Sequence, residues 1–170
     1  MEESQDPAQR DLVDEALYLR GRLIACYAQV EFLFADLITK LEDRFAYRIE
    51  SRIKGVRAIA EMPGYEAYRH DLHRLADELL LYEDYRHYMV HGFMRAEVDR
   101  AGNHRFQLLR YTREDVGKYK LMQATTNIQH MKESLNDMDS YVKDVMNLFE
   151  RIYREKKLEP MAPEDGKSSS

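Results

Sequence analysis

The sequence predicts an all-α fold, an up-and-down bundle of four main helices with a β-hairpin or a long loop between the third and the fourth. Three observations lead there. Glycine and proline are scarce, 7 and 4 among 170 residues, which leaves little of the turn material that a β-sandwich or a glycine-rich nucleotide fold consumes. Apolar residues recur every three to four positions over long stretches, the period of a helix face. The segments between those stretches are short, as they are between neighbours in a bundle.

The first helix is expected from Asp6-Pro7 to about Arg44, with Asp6 as N-cap and Pro7 at the first helical position, where a missing N–H does no harm. Leu12, Val13, Leu17, Ile24, Tyr27, Ala28, Phe34, Ile38 and Leu41 form its stripe. Gly21 inside it costs about 1 kcal/mol relative to Ala and would allow close packing of a neighbouring helix. A short second helix covers Ser51 to Glu61 and ends at Pro63-Gly64. The third runs from Tyr65 to about His91, carries Leu72, Leu75, Leu79, Tyr82, Met89 and Val90, and stops at Gly92 in the C′ position. Residues 93–99 and 104–111 flank the turn sequence RAGN and are the only strand-like stretch. Thr112, with Asp115 three residues on, reads as the N-cap of a fourth helix beginning near Arg113, wobbling at Gly117 and reaching about Lys156. Leu121, Ile128, Met131, Leu135, Met138, Val142, Met146, Phe149 and Ile152 form its stripe. Residues 1–158 thus read as one domain and 159–170 as a polar, disordered tail.

Composition narrows the function classes. With 26 Lys+Arg against 31 Asp+Glu the formal charge is −5; 44% hydrophobic and 34% charged residues fit a soluble globular chain. The first twenty residues are polar, and no apolar run approaches the roughly 18 residues that span a bilayer, so neither a secretory signal nor a membrane partner is expected. Cys26 is the single cysteine. It forms no internal disulfide or cysteine zinc site, agrees with a cytoplasmic location, and reads as a small core residue. Mild acidity disfavours broad binding of a nucleic-acid backbone, so any such role must be local or transient. Four of the nine Met, at 89, 131, 138 and 146, lie on these helical stripes, and the methionines read as core rather than as a Met-rich site.

One residue breaks the helical pattern. At about 100° per residue, Arg86 points the same way as Leu72, Leu75, Leu79, Val90 and Phe93. A guanidinium there must be paired, hydrogen-bonded or open to a polar cleft. Glu83 on the same side and Glu31 on the first helix are candidate ion-pair partners. The other reading is a phosphate or carboxylate ligand gripped by the guanidinium fork. His87 and His91 stand four apart beside it, and imidazole is the side chain that moves protons near neutrality.

The segment RHYMVHG (86–92) resembles the Arg-x4–6-His motif of HEPN domains, the higher eukaryotes and prokaryotes nucleotide-binding family of helical bundles. The long first helix with GRLIACYAQVEFLFADLI (21–38), the short second helix, the motif near the end of the third and the long closing helix resemble that architecture. The resemblance implies that Arg86 and His91 are catalytic residues of a metal-independent endoribonuclease, formed at a homodimer interface, with RNA as substrate and no cofactor. It also implies a toxin or anti-phage defence setting, with an antitoxin or inhibitor protein as a possible partner. His87 stands where the family often has Asn or Asp, which adds a third candidate catalytic group. His91-Gly92-Phe93 replaces the His-x-Tyr of members paired with a nucleotidyltransferase antitoxin, so modification of that tyrosine is not expected here.

Arg86 and His91 lie about 140° apart around one helix, so two chains facing one cleft would bring them together more readily than one. Tyr82, Tyr85 and Tyr88 are candidates for stacking on bases, and Arg95, Arg100, Arg105 and Arg110 for guiding a phosphate backbone. Two other classes compete. Asp84, His87 and His91, at i, i+3 and i+7, present metal-ligating atoms on one face. A non-enzymatic dimeric binding module of the same fold would keep Arg86 as a structural or ligand-holding charge.

Overall fold

The amphipathic stretches become four helices: α1 (Pro7–Glu42), α2 (Ile49–Ala60), α3 (Arg69–His91) and α4 (Ile128–Lys156). These come from a computed structural model that describes residues 7–42 and 44–158. The expected Asp6 cap and the tail from residue 159 lie outside the described residues. No helix among the described residues is long and apolar enough to cross a membrane. A 3-10 turn, Glu66–Tyr68, precedes α3, so that helix starts four residues later than expected.

The all-α expectation is overturned between α3 and α4. Three antiparallel strands, β1 (Phe93–Val98), β2 (His104–Asp115) and β3 (Lys118–Thr126), form one sheet in the order β1-β2-β3, which makes the fold mixed α and β. The hairpin around RAGN is present, with Phe93 opposite Leu109 and Val98 opposite His104. Thr112 does not cap a helix: β2 continues through it to Asp115, and the chain reverses at Gly117, whose φ of 74° suits glycine. In β3, Met122, Ala124 and Thr126 are covered while Leu121, Gln123 and Thr125 are exposed, the period of two of a strand. Leu121 therefore leaves the helical stripe assigned to it. The fourth helix begins fifteen residues after Arg113, where Asn127 caps it by accepting the His130 N–H on Oδ1 at 2.8 Å.

The described residues group into two compact units. The first takes residues up to Ala28 and Leu80–Ser140, and so contains the whole sheet. Leu19, Leu23, Tyr27, Met89, Phe106 and Leu108 are among its buried residues, with Met131, Leu135 and Met138 from α4. The second takes Gln29–Leu79 and the residues from Tyr141 onward, and is wholly helical. There Phe34 stacks on Phe149 at 5.7 Å, and the buried Tyr141 hydroxyl donates to the Leu75 carbonyl at 2.7 Å. The close approach expected at Gly21 occurs instead at Gly55. A Cβ on Gly55 would lie 2.5 Å from Ile38 Cδ1, whereas nothing comes within 4 Å of one on Gly21.

Cys26 is buried, as expected of a core residue, and its thiol donates to Asp139 Oδ1 at 3.2 Å. Burial, then the contact with Asp139, pushes the thiol up to about 11 from an ordinary 9.0. A raised acid is stabilised in its neutral form, so this contribution to stability is complete below pH 9 and is lost as pH rises toward 11. At pH 8 the native thiol should react with a disulfide reagent about 100-fold more slowly than in urea, since two units of pKa set the thiolate ratio. Equal native and denatured rates would refute this.

Candidate Arg/His site at the end of α3

The last turns of α3 place Arg86, His87 and His91 in the first unit. The arc that buries Leu72, Leu75 and Leu79 runs out into solvent beyond Arg86: Val90 and Phe93, expected on the same buried face, are exposed, Phe93 to 64%. Arg86 is partly buried where the stripe leaves the core. Its Nη2 lies 3.5 Å from His87 Nε2, and the His87 and His91 rings face each other at 5.9 Å with 31° between their planes. The structure thus gathers one guanidinium and two imidazoles at one helix end. Glu83 joins them, with Oε1 3.5 Å from His87 Nε2. Glu31 meets Arg52, whose Nη1 donates to its Oε2 at 3.1 Å, a partner that sequence reasoning did not name.

Sequence reasoning also missed the group that holds this helix end. Arg20 of α1 donates from Nε to the Met89 carbonyl at 2.6 Å and from Nη2 to the Gly92 carbonyl at 2.8 Å. The last carbonyls of a helix lack partners within it, and a cation there also meets the negative end of the helix dipole. An arginine on a helix flank twenty residues into the chain carries no local signal of this role, because its partners are 69 and 72 residues away. Nearby, Tyr27 donates its hydroxyl to the Tyr82 carbonyl, and burial raises that phenol well above its usual range.

Gly92 ends the helix for a different reason from the left-handed bend that C′ glycines usually supply. Its φ is not among the positive ones; instead a Cβ there would lie 2.3 Å from the Tyr88 carbonyl oxygen, which accepts the Gly92 N–H at 2.9 Å. Since the obstacle is backbone, no rotamer change relieves it. Gly92→Ala should lower stability by about 2 kcal/mol, read as a shifted urea midpoint at an unchanged slope. An unaltered midpoint would show that the turn relaxes freely.

The tyrosines and arginines proposed as RNA contacts are largely engaged within the chain. Tyr82 packs edge-on against Tyr27 at 6.1 Å, Tyr85 against His130 at 6.0 Å, and Arg110 sits 4.8 Å above the Tyr88 ring. Arg95 bonds Glu97 and Gln107, and Arg105 pairs with Asp99 at 2.7 Å. Asp84 points to solvent and pairs with Arg110 at 3.4 Å. Among the described residues, no group of three His, Cys, Asp or Glu is arranged to hold a metal ion, so Asp84, His87 and His91 do not form the metal triad the spacing allowed.

The cluster can do acid–base chemistry on an anion. A guanidinium is a group that can pair with a phosphate, and an imidazole is one that can take up or release a proton. No family model, curated protein or solved structure matches this chain, so that chemistry rests on the residues and their geometry alone.

Proposed function

We propose that this chain is an HEPN-like, metal-independent endoribonuclease acting on single-stranded RNA in the cytoplasm, with a composite site made by two copies. One observation carries the reading: Arg86 Nη2 lies 3.5 Å from His87, whose ring is 5.9 Å from that of His91. RNA supplies its own nucleophile. An imidazole takes the 2′-hydroxyl proton as O2′ attacks phosphorus, the bond from phosphorus to O5′ breaks, and a second imidazole protonates the departing O5′. The products are a 2′,3′-cyclic phosphate and a 5′-hydroxyl. Arg86 stabilises the charge that gathers on the phosphoryl oxygens. Exposed apolar residues beside the motif, Leu81 at 80% and Phe93 at 64%, support a second copy docking there. In a toxin or defence setting, an inhibitor protein would compete for that same surface.

The Glu83–His87 contact favours a second reading, since it draws His87 toward a structural ion pair. The chain would then be a dimeric binding module of this fold, with Arg86 holding a ligand. Incubation with single-stranded RNA in EDTA separates the two. Cleavage leaving cyclic-phosphate ends supports the nuclease. Binding without cleavage supports the module, and activity abolished by chelation refutes the metal-independent mechanism.

A further inference from the structure

The sheet of the first unit has an outer face that departs from the usual solvated one. Phe106 and Leu108 of β2 are buried, so the odd-numbered residues of that strand face the other way. The solvated face of an antiparallel sheet is normally polar. Here Tyr111 is 72% exposed, Tyr119 68% and Leu121 50%. Tyr111 lies opposite Leu121, and Arg113 opposite Tyr119, on adjacent strands. Both rings therefore stand on one face as diagonal neighbours, about 7–8 Å apart.

Positive charge collects at the same end of the sheet. Lys118 and Lys120 are exposed, as is Arg113, whose Nε donates to the Asp115 carbonyl at 3.3 Å. Residues 93–126 carry seven Lys+Arg against four Asp+Glu, a net of +3, whereas the rest of the chain carries 19 against 27, a net of −8. The charge of −5 thus conceals a basic sheet on an acidic protein. Arg110, the residue before Tyr111, sits 4.8 Å above the Tyr88 ring and pairs with Asp84. That ties this end of the sheet to the helix carrying Arg86, His87 and His91.

We propose that this face binds single-stranded RNA, with bases stacked on Tyr111 and Tyr119 and phosphates paired with Arg113, Lys118 and Lys120. Exposed aromatics on adjacent strands take unpaired bases, whose flat faces are open, whereas a duplex keeps its bases stacked on one another. A protein partner fits less well. Lysine is depleted from interface cores, and lysines on an edge strand such as β3 oppose pairing with another chain. As the place where a substrate strand is held, the face rests on the ribonuclease reading, but its binding can be measured without cleavage.

A fluorescein-labelled 2′-O-methyl RNA of about 12 nucleotides serves as probe; its attacking hydroxyl is blocked, so it is titrated intact onto the full chain in EDTA and followed by anisotropy. The single strand should bind at least about tenfold more tightly than the same sequence as a duplex. Tyr111→Ala and Tyr119→Ala should each weaken binding about tenfold, with circular dichroism unchanged. Tyr111→Phe and Tyr119→Phe should keep it, because the ring and not the hydroxyl stacks. Salt should weaken native binding with a logarithmic slope of about −2, made shallower by about 0.7 in Arg113→Gln or Lys118→Gln. Unchanged affinity in both alanine variants, or equal affinity for duplex and single strand, would overturn the proposal. So would a dimer that dissociates in Tyr119→Ala while probe affinity is retained, which would give the face to a second copy. Cleavage of ordinary RNA without tyrosine-dependent binding overturns this surface and leaves the nuclease standing. Tyrosine-dependent binding without cleavage supports the surface and overturns the nuclease.

Discussion

Replacing His91 by Ala should slow RNA cleavage by about two to four orders of magnitude, the usual cost of losing a general acid or base. The His91 side chain is exposed at the helix end, so the unfolding midpoint should barely move. That combination distinguishes a catalytic group from a structural one. Arg86 needs a different substitution, because it is partly buried and its truncation would disturb packing as well as charge. Arg86→Lys keeps the charge and loses the fork; it should keep most of the stability and lose most of the cleavage rate. His91→Ala retaining full activity in EDTA would end the two-imidazole mechanism. An active monomer by light scattering would end the composite site.

The largest stability effect near the motif should come from Arg20→Met. Two charge-assisted bonds to carbonyls, at 2.6 and 2.8 Å, disappear together, and the Met89 and Gly92 oxygens lose their donors. At roughly 1.5–3 kcal/mol for each bond to a charged group, and with Arg20 only partly buried, the expected loss is about 3 kcal/mol. For a chain of this size that is a melting temperature lower by about 10 °C. Arg20→Lys presents one donor head rather than a fork and should recover part of the loss. Hydrogen exchange of the amides in the last turn of α3 should report the same release locally. A midpoint within 1 °C of the native chain would mean that water replaces the clamp at no cost.

How far the fold could be read depended on whether local pattern and tertiary context agreed. The stripes through Phe34 and Ile38 and through Met138, Phe149 and Ile152 became buried helix faces, because a sustained period of 3.6 has few competing interpretations. The stretch from Thr112 to Thr126 offered two. Thr112 followed by Asp115 looks like a capping signal, yet the same residues end a strand. Asp115-Val116-Gly117 was the overlooked clue, a turn sequence with glycine where φ is positive. Three threonines, at 112, 125 and 126, also favour strand over helix. At the candidate site, the direction of Arg86 and the pairing of His87 with His91 follow from helical spacing alone. The Arg20 clamp does not, since it is defined by atoms brought from a distant part of the chain.

The chain order of the two units bears on how the protein is made. Residues 29–79 of the second lie between the two pieces of the first, and residues 80–140 of the first lie between the two pieces of the second. Contacts that close each unit join residues more than a hundred positions apart: Cys26 with Asp139 over 113, and Asp36 with Tyr153 over 117. During synthesis neither unit has all its parts until α4 leaves the ribosome, and a chain arrested at residue 120 lacks a helix that both require. Neither unit can therefore close before α4 has been made, and the nascent protein reaches that point with its apolar stripes still uncovered.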